Sequence, residues 1–591
     1  MKTLNKLKSL KLILKSYCEV SKAYLFLYFF KQAFSAALAA VTGTYLLKVV
    51  FEFMEGIRES GQTMMIVFVI ICANIVNIIG SQYIDQCYSA KIDTKVRGLL
   101  QKKLFQKALS IDYSFYDNSK FYDEFHMMIG ESGTRPQLIM QHIGAIVYNF
   151  VSLLTILSIV FQIDILVVTV IIIAVIISYI TDVRAAKKSV QREMELAKDN
   201  KKIAYYKRVF YLKEYIEEIK TKKSMAFLLE DYDETITSKN KTNKAFGKWL
   251  GFCKMYNGIA QSFLISFGVY FILIYDLFEK KIITIGGLSA LLGSIWNLTD
   301  QLQQLINRFA DLGGDALFMD KMIAFLDRKT TQDDGVLDIE KKPLHLKLSD
   351  VSFSYDGKHE VLHHINLNIA PGKKVAIVGE NGAGKTTLVN LIMGLYSHYH
   401  GAITLDGTDV GAYVREQRRD YFQCLSQDYR IYAYSILENV CMGKEYSQEK
   451  VTDAVNQAGF TAKLEKLENG IGTVLTKEYD EVGENLSGGE KHMIAMARIL
   501  VTDSFIICLD EPSSDLDPIG EQNFNRLLMS AFNDRTVIFI SHRFYATQNV
   551  DKIYMLSNGT IIEEGTHDEL VRLNGRYADM YHVQEEKFLY E

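Results

Sequence analysis

The stretch IVGENGAGKTTLVN, residues 377–390, decides the fold of the C-terminal part of this chain. It contains the spacing G-x-x-x-x-G-K-T from Gly379 to Thr386, preceded by the strand pattern KKVAIVG and followed by the helical pattern KTTLVNLIMGLY. Glycines let the backbone curl so that successive N–H groups point at one anion, and the following helix adds its positive end. The pattern predicts a phosphate-binding loop between a strand and a helix.

Two carboxylates follow further along the chain. The stretch SFIICLDE, residues 504–511, is an apolar strand that ends in Asp510 and Glu511. We expect Lys385 of the loop to contact the β- and γ-phosphates, and Thr386 and Asp510 to hold Mg²⁺. Glu511 is placed to polarise an attacking water. The alternative is a carboxylate pair that only ends a strand at the surface.

A third element is NLSGGEKHMIAMARIL, residues 485–500. Ser487, Gly488 and Gly489 precede a long helical pattern, and a helix N-terminus favours anions. The alternative is an ordinary capped helix after a glycine turn. From about residue 345 onward, short β-branched runs alternate with helical patterns, which is typical of an α/β domain with a buried parallel sheet.

The first 305 residues have a different character, because they contain six apolar segments long enough to cross a bilayer. The segments are 23–50, 62–86, 137–161, 163–183, 247–275 and 282–305. Lysines concentrate before the first segment and in the links 87–136 and 184–246, which the positive-inside rule places in the cytoplasm. An even number of spans then returns the C-terminal half to the cytoplasm, where ATP is available. Lys254, Asn257 and Gln261 interrupt the fifth segment, so a buried soluble helix is its alternative.

These patterns divide the chain into an interfacial helix at 1–22, a transmembrane domain at 23–319, a charged linker at 320–344 and a nucleotide-binding domain at 345–591. In the interfacial helix, leucines recur at helical spacing among lysines, as in a helix lying on a membrane surface. A signal peptide is the alternative, since AALAA at 36–40 resembles a cleavage site. Each long cytoplasmic link is expected to fold back at a turn, near 113–118 and near 208–216.

Composition excludes several other classes. The 591 residues are 49% hydrophobic and yet 23% charged, as expected of a chain with one membrane part and one water-soluble part. The net charge is −4, so no basic bias favours nucleic acid as a partner. The seven cysteines are scattered without a C-x-x-C pair, which argues against a zinc site or a disulfide framework.

Seven ordered motifs together resemble one family, the ABC transporters, and within it the exporters. GENGAGKTT resembles the Walker A loop, IICLDEP the Walker B strand, LSGGE at 486–490 the signature LSGGQ, and SSDLD at 513–517 the D-loop. Gln427 in CLSQD matches the Q-loop glutamine, and His542 in IFISHR the switch histidine. Tyr355 in VSFSYDG matches the aromatic residue that stacks on adenine, with an edge-strand tyrosine as the alternative.

The resemblance covers nearly the whole chain, by specific motifs in the C-terminal half and by layout in the six-span half. It implies an all-α six-helix transmembrane domain followed by an α/β P-loop NTPase domain, with ATP and Mg²⁺ as cofactors. The implied catalytic residues are Glu511, His542 and Gln427. The implied metal ligands are Thr386, Gln427 and Asp510. The implied nucleotide-binding residues are Tyr355, Gly379, Asn381, Gly382, Gly384, Lys385, Thr386, Thr387, Ser487, Gly488 and Gly489.

Members of this family work as head-to-tail dimers, in which the signature of one copy caps the γ-phosphate held by the other. One membrane half and one ATPase half therefore resemble a half-transporter that must pair. A homodimer is expected, and a heterodimer with a sister chain stays open because of two departures. Position 490 is Glu where the family usually has Gln, and position 515 is Asp where Ala is usual.

The implied function is ATP-driven export across a bacterial plasma membrane by alternating access, with the nucleotide-binding domain in the cytoplasm. No ATP motif identifies the cargo. The polar cluster WNLTDQLQQL on the sixth predicted span suggests a cavity suited to a peptide, a lipid or an amphipathic small molecule. The alternatives are an ATP-binding regulatory or channel-like subunit, and the catalytically intact half of a heterodimeric exporter.

Overall fold

A computed structural model of the chain describes all residues except 1, 161–164, 222–224, 280–284, 329–334, 479–480, 513–530, 533, 543–547 and 591. The chain divides into two compact units. The first contains Met1–Leu109 and Glu124–Arg328, and the second contains Ser110–Asp123 and Lys329–Glu591.

The first unit is helical throughout its described residues. Its helices are Lys2–Val20, Lys22–Ala40, Leu46–Met54, Ser60–Tyr83, Ala90–Ser110, Arg135–Val160, Ile165–Tyr211, Lys213–Thr221, Met225–Ser262, Tyr270–Phe278 and Ile285–Leu326, and the helix Ser119–Ser132 crosses into it from the second unit. Three π-helical segments, Val41–Tyr45, Ile84–Ser89 and Phe263–Val269, connect consecutive helices without a break. The scarcity of proline, with five residues in the whole chain, permits helices of this length.

Within the described residues, three helical stretches are long and apolar enough to cross a membrane: Lys22–Met54, Ser60–Ser110 and Arg135–Ser158. They correspond to the first three predicted spans. The predicted fourth span begins among residues 161–164, and the fifth and sixth flank residues 280–284, which lie outside the described residues. The count of six spans therefore stays a prediction.

A buried ion cluster connects two helices of this unit. Asp315, on Ile285–Leu326, accepts from Arg135 Nη1 at 2.6 Å and contacts His142 Nδ1 at 3.0 Å. Arg135 and His142 belong to the helix Arg135–Val160, whose Glu131 neighbour also accepts from Arg135 at 2.7 Å. Because a buried carboxylate needs charged or hydrogen-bonding partners, these contacts fix the register of the two helices.

The second unit contains two sheets. Its strands are β1 Leu346–Ser354, β2 Glu360–Ile369, β3 Lys374–Val378, β4 His400–Leu405, β5 Thr408–Asp409, β6 Phe422–Leu425, β7 Ile506–Asp510, β8 Thr536–Ser541, β9 Lys552–Ser557 and β10 Thr560–Gly565. The smaller sheet is antiparallel, in the order β2-β1-β4-β5. The larger sheet has the order β10-β9-β3-β8-β7-β6, parallel except at β10. Every residue of β7 and β8 is buried, which is why these strands are apolar runs rather than alternating patterns.

The second unit also contains helices. In the described residues they are Lys385–Ile392, Arg415–Tyr421, Ile436–Cys441, Gln448–Gln457, Thr461–Leu464, Gly488–Leu500, His567–Leu573 and Arg576–Tyr590. The helix Gly488–Leu500 packs Ala495, Met496 and Ile499 against one face of the sheet. This mixture of sheet and helix confirms the α/β class predicted for the C-terminal half.

The structure also describes residues in the predicted linker and at the two predicted turns. The helix Ile285–Leu326 runs into the predicted linker 320–344, and a β-bridge joins Leu337 to Tyr413. Near the first predicted turn, Tyr113–Asp117 forms a 3₁₀ helix. Near the second, the helix ends at Tyr211 and the short helix Lys213–Thr221 follows.

Two glycines of the smaller sheet provide a matched test of its packing. Gly401 has φ +89°, and a Cβ there would lie 2.3 Å from the Asp350 carbonyl oxygen, whereas Gly407 has φ +81° and open space around it. We expect Gly407→Ala to lower the free energy of unfolding by about 1–2 kcal/mol, the cost of a left-handed L-residue. Gly401→Ala should cost more, because the methyl group also overlaps backbone. Hydrogen exchange of β1 and β4 in the full chain measures both variants, and equal effects would contradict this packing.

Candidate nucleotide site

The site begins at the carboxyl end of β3, where three glycines shape the loop. Gly379, Gly382 and Gly384 have φ values of +158°, +82° and +102°. A Cβ on Gly379 would lie 2.2 Å from the Leu556 carbonyl oxygen, so no side chain fits there. Gly384 ends the loop in the left-handed region and precedes the helix Lys385–Ile392. The predicted strand, loop and helix are therefore all present, and the helix N-terminus faces the loop.

Lys385 is the cation of this loop. Its side chain is buried, with 7% exposed, and its Nζ donates to the carbonyl oxygens of Gly379 at 2.8 Å and Glu380 at 2.9 Å. Burial lowers the pKa of the Lys385 ammonium. A buried ammonium bound mainly by carbonyl groups gains from a nearby anion, so this geometry suits a phosphate group.

Thr386 and Asp510 meet next to this cation. Thr386 Oγ1 donates to Asp510 Oδ2 at 2.9 Å, which joins the loop to the end of β7. Burial raises the pKa of the Asp510 carboxyl above its ordinary value. A hydroxyl and a carboxylate at this separation are oxygen donors of the kind that Mg²⁺ prefers, so the residues present fit the predicted metal.

Two of the predicted catalytic residues, Gln427 and His542, contact the carboxylate of the third, Glu511. Gln427 Nε2 donates to Glu511 Oε2 at 3.1 Å, and His542 Nδ1 lies 3.0 Å from Glu511 Oε1. The Glu511 side chain is 14% exposed. Its backbone has φ +50°, a conformation that non-glycine residues rarely adopt and that recurs at functional sites. The structure therefore places Gln427, Glu511 and His542 together, as expected if they share one reaction.

Tyr355 contacts the helix that follows the loop. Its hydroxyl is 2.7 Å from Thr387 Oγ1, and its ring packs edge-on against Phe353 and Tyr396 at centroid distances of 5.0 and 5.5 Å. The side chain remains 44% exposed. An aromatic ring that is fixed by neighbours and still accessible is suited to stacking with a planar base. Asn381 and Gly382 are exposed at the tip of the loop.

The predicted signature segment is a helix cap. Ser487 Oγ accepts from the Glu490 N–H at 3.3 Å, and Glu490 Oε2 accepts from the Ser487 N–H at 2.8 Å. The hydrogen bond from the Ser487 backbone lowers the pKa of the Glu490 carboxyl. Ser487 and Gly488 are exposed, and Gly489 is half-buried. This segment therefore presents backbone N–H groups to its surroundings at a helix N-terminus.

The structure does not bring every predicted residue into one place. Among the hydrogen bonds and ion pairs of the described residues, none joins Ser487, Gly488 or Gly489 to the phosphate loop. The predicted D-loop at 513–517, with Asp515, lies outside the described residues. The chain thus holds the loop side of a site and the signature side of a site as separate surfaces.

The sequence did not indicate a role for two residues in this region, Tyr429 and Lys463. Tyr429, two residues after Gln427, donates to the Gly488 carbonyl oxygen at 3.2 Å and packs edge-on against His492. Lys463 pairs with Glu484 at 2.6 Å and lies 3.7 Å from Glu490. Proximity to the Q-loop glutamine was a usable signal for Tyr429. No sequence pattern pointed to Lys463.

Comparison with known proteins gives a family match for part of the chain. Residues 362–514 match the ABC transporter family. The chain is 34% identical over 326 residues to the uncharacterized ABC transporter ATP-binding protein YfiC of Bacillus subtilis (strain 168), covering 52% of this chain and 52% of that protein. It is 32% identical over 329 residues to the ATP-dependent lipid A-core flippase of Pasteurella multocida (strain Pm70), covering 55% and 56%. The chain thus spans about half the length of the curated relatives that it matches.

A solved structure resembles nearly the whole chain. It is described as a bacterial Atm1-family ABC exporter with ATP bound, with a TM-score of 0.78, 22% identity, and coverage of 96% of this chain and 98% of that chain. Part of the chain therefore matches the ABC transporter family, and the fold of the chain is similar to that of this exporter over nearly its whole length. This confirms the resemblance and the fold class predicted from the motifs.

The buried Asp510 carboxylate generates a pH-dependent prediction. Because burial raises its pKa, the ionised form destabilises the nucleotide-free protein at neutral pH. We expect Asp510→Asn to raise the melting temperature at pH 7, since the amide oxygen still accepts from Thr386. As the pH falls, Asp510 takes up a proton and the wild type becomes more stable. The difference in melting temperature between the variant and the wild type should therefore narrow. Melting curves between pH 7 and pH 5 measure this, and a gap that is absent or independent of pH would contradict it.

Proposed function

We propose that this chain is one half of an ATP-driven exporter that works by alternating access of a dimer. The observation that carries the proposal is the contact of Gln427 and His542 with Glu511, beside the pair Thr386–Asp510. A regulatory subunit that only binds nucleotide has no use for a carboxylate held in this way. The geometry therefore favours hydrolysis over simple sensing.

In the proposed reaction, the phosphate loop binds ATP and Glu511 polarises the attacking water. The backbone N–H groups of the loop and Lys385 bind the phosphates, while Tyr355 stacks on the adenine. Glu511 accepts a hydrogen bond from the attacking water, and Gln427 and His542 hold the carboxylate in position. Thr386 and Asp510, with Gln427, would hold Mg²⁺, which neutralises charge on the phosphates.

The signature segment gives a reason for dimerisation. Ser487 and Gly488 are exposed, and they make no described contact with the loop of their own chain. In a head-to-tail dimer, each signature would instead cap the γ-phosphate bound by the other copy. Glu511 and His542 are both present, so a homodimer would have two complete sites. A heterodimer with a sister chain remains the second arrangement.

The first cytoplasmic turn supports coupling to the membrane domain. Residues Ser110–Asp123 pack with the nucleotide-binding unit although helices of the membrane unit flank them in sequence. The buried Asp112 carboxylate accepts from the Ser397 backbone N–H at 3.3 Å and from its hydroxyl, and Tyr396 donates to Asp117 at 3.0 Å. A segment fixed in this way would move with the nucleotide-binding unit, and ATP binding would thereby bias the membrane helices.

For the cargo, we propose a lipid or another amphipathic molecule. Several relatives bear the name ATP-dependent lipid A-core flippase, and they are bacterial. The sixth predicted span carries Asn297, Gln301 and Gln304 in addition to Asp300, and polar side chains of this kind suit a cavity that binds a polar headgroup. A bacterial plasma membrane is the proposed location.

Replacement of one carboxylate tests this function directly. We expect Glu511→Gln to lower ATP hydrolysis by about 10²–10⁴-fold, since the amide cannot act on the water. ATP binding should persist because the loop is unchanged. Phosphate release and lipid translocation by the purified protein in lipid vesicles measure the activity, and the binding of labelled ATP to the same protein measures the retained affinity. Glu445→Gln, at an exposed position, is the matched control and should behave as wild type.

Two results would reject the proposal. One is full hydrolysis in Glu511→Gln. The other is a wild-type protein that binds ATP and neither hydrolyses it nor moves any lipid, peptide or amphipathic probe in vesicles, which would leave the regulatory alternative.

A further inference from the structure

Glu490 is the departure from the expected signature, and the structure shows how its carboxylate is held. The residue lies in the first turn of the helix Gly488–Leu500. Its Oε2 accepts from the Ser487 N–H at 2.8 Å, so the side chain turns back toward the exposed end of the helix. In the proposed dimer, this end faces the phosphates bound by the other copy. A negative charge here opposes the positive helix end that should attract those phosphates.

One lysine compensates this charge in the described part of the chain. Lys463, from the short helix Thr461–Leu464, places its Nζ 3.7 Å from Glu490 Oε1. Both side chains are 27% exposed, so solvent only partly screens the pair. The other carboxylate oxygen of Glu490, Oε2, is the one that accepts from the Ser487 N–H. Glu490 is therefore bound on both oxygens, once by backbone and once by a cation.

A second carboxylate keeps Lys463 in this position. Glu484 Oε1 lies 2.6 Å from Lys463 Nζ. Glu484 is itself fixed by its backbone, which donates to the Val474 carbonyl oxygen at 2.9 Å and accepts from Thr476 at 2.9 Å. Because an anchored partner holds the ammonium, Lys463 is restrained between the two glutamates rather than free to follow other anions.

We propose that Lys463 is a positioning residue for the signature segment, which it serves by offsetting part of the negative charge of Glu490. This inference rests on the proposed dimeric ATPase. The Glu at position 490 and the Lys at position 463 form one functional pair. Because Glu484 shares Lys463, the lysine reduces the negative charge at the exposed turn without removing it. Lys463 contacts no nucleotide itself, and it acts only through Glu490.

A double-mutant cycle tests the pair. Lys463→Ala leaves the Glu490 charge uncompensated, and we expect the KM for ATP to rise about fivefold at low salt, the effect of one partly screened charge. The increase should shrink as salt is added. In the Glu490→Gln background, the same Lys463→Ala change should leave the KM where Glu490→Gln alone sets it. Lys463→Arg keeps the charge and should match wild type.

Glu484→Gln provides the matched control, because Glu484 is the other partner of Lys463. Combined with Lys463→Ala, it should not restore the KM. The proposal is overturned if Lys463→Ala leaves the KM unchanged, or if Glu484→Gln restores it and Glu490→Gln does not. It is equally overturned if Lys463→Ala misfolds and Glu490→Gln fails to rescue folding and KM together. Failure of the underlying function is distinguishable, since the wild type would then show no ATP hydrolysis.

Discussion

The site depends on the parallel pairing of β3, β8, β7 and β6, which brings four strand ends to one edge of the sheet. Val378 pairs with Ser541, Asp510 with Ile540, and Leu425 with Leu509. The residues that follow these ends are the phosphate loop, His542, Glu511 and, two positions beyond Leu425, Gln427. Because parallel strands place their carboxyl ends together, Gln427 and His542 meet around the Glu511 carboxylate although they lie more than 100 positions apart in sequence.

That arrangement also explains why the edge of the sheet is polar while the strands are apolar. The strands are buried on both faces by helices and by the smaller sheet, so they carry little chemistry. Lys385 and Asp510 are buried charges next to each other, with pKa values shifted toward the neutral forms by burial. Their hydrogen-bond partners in the protein are uncharged, and bound phosphate and its cation would add charged ones. These buried charges therefore lower the stability of the nucleotide-free protein, and they lie at the site where nucleotide binds.

Sequence patterns predicted much of this. The phosphate loop, the Walker B strand, the capped signature helix and the α/β class follow from local spacing, because glycine geometry and buried strands leave strong local signals. The roles proposed for Glu511 and His542 rest on the family resemblance. The contacts of Asp112 with Ser397 and of Lys463 with Glu490 could not be predicted, since side chains that meet through tertiary packing have no fixed spacing. The same holds for the ion pair of Arg135 with Asp315.

The central claim is that two copies complete each nucleotide site, and crosslinking tests it most directly. In a Glu511→Gln background with the seven native cysteines replaced, Asn381→Cys in the loop and Ser487→Cys in the signature would report their separation between copies. When the two cysteines are on different chains, we expect a disulfide-linked dimer in the presence of ATP and no such dimer without ATP. ATP bound at the loop without any crosslink between chains would contradict it.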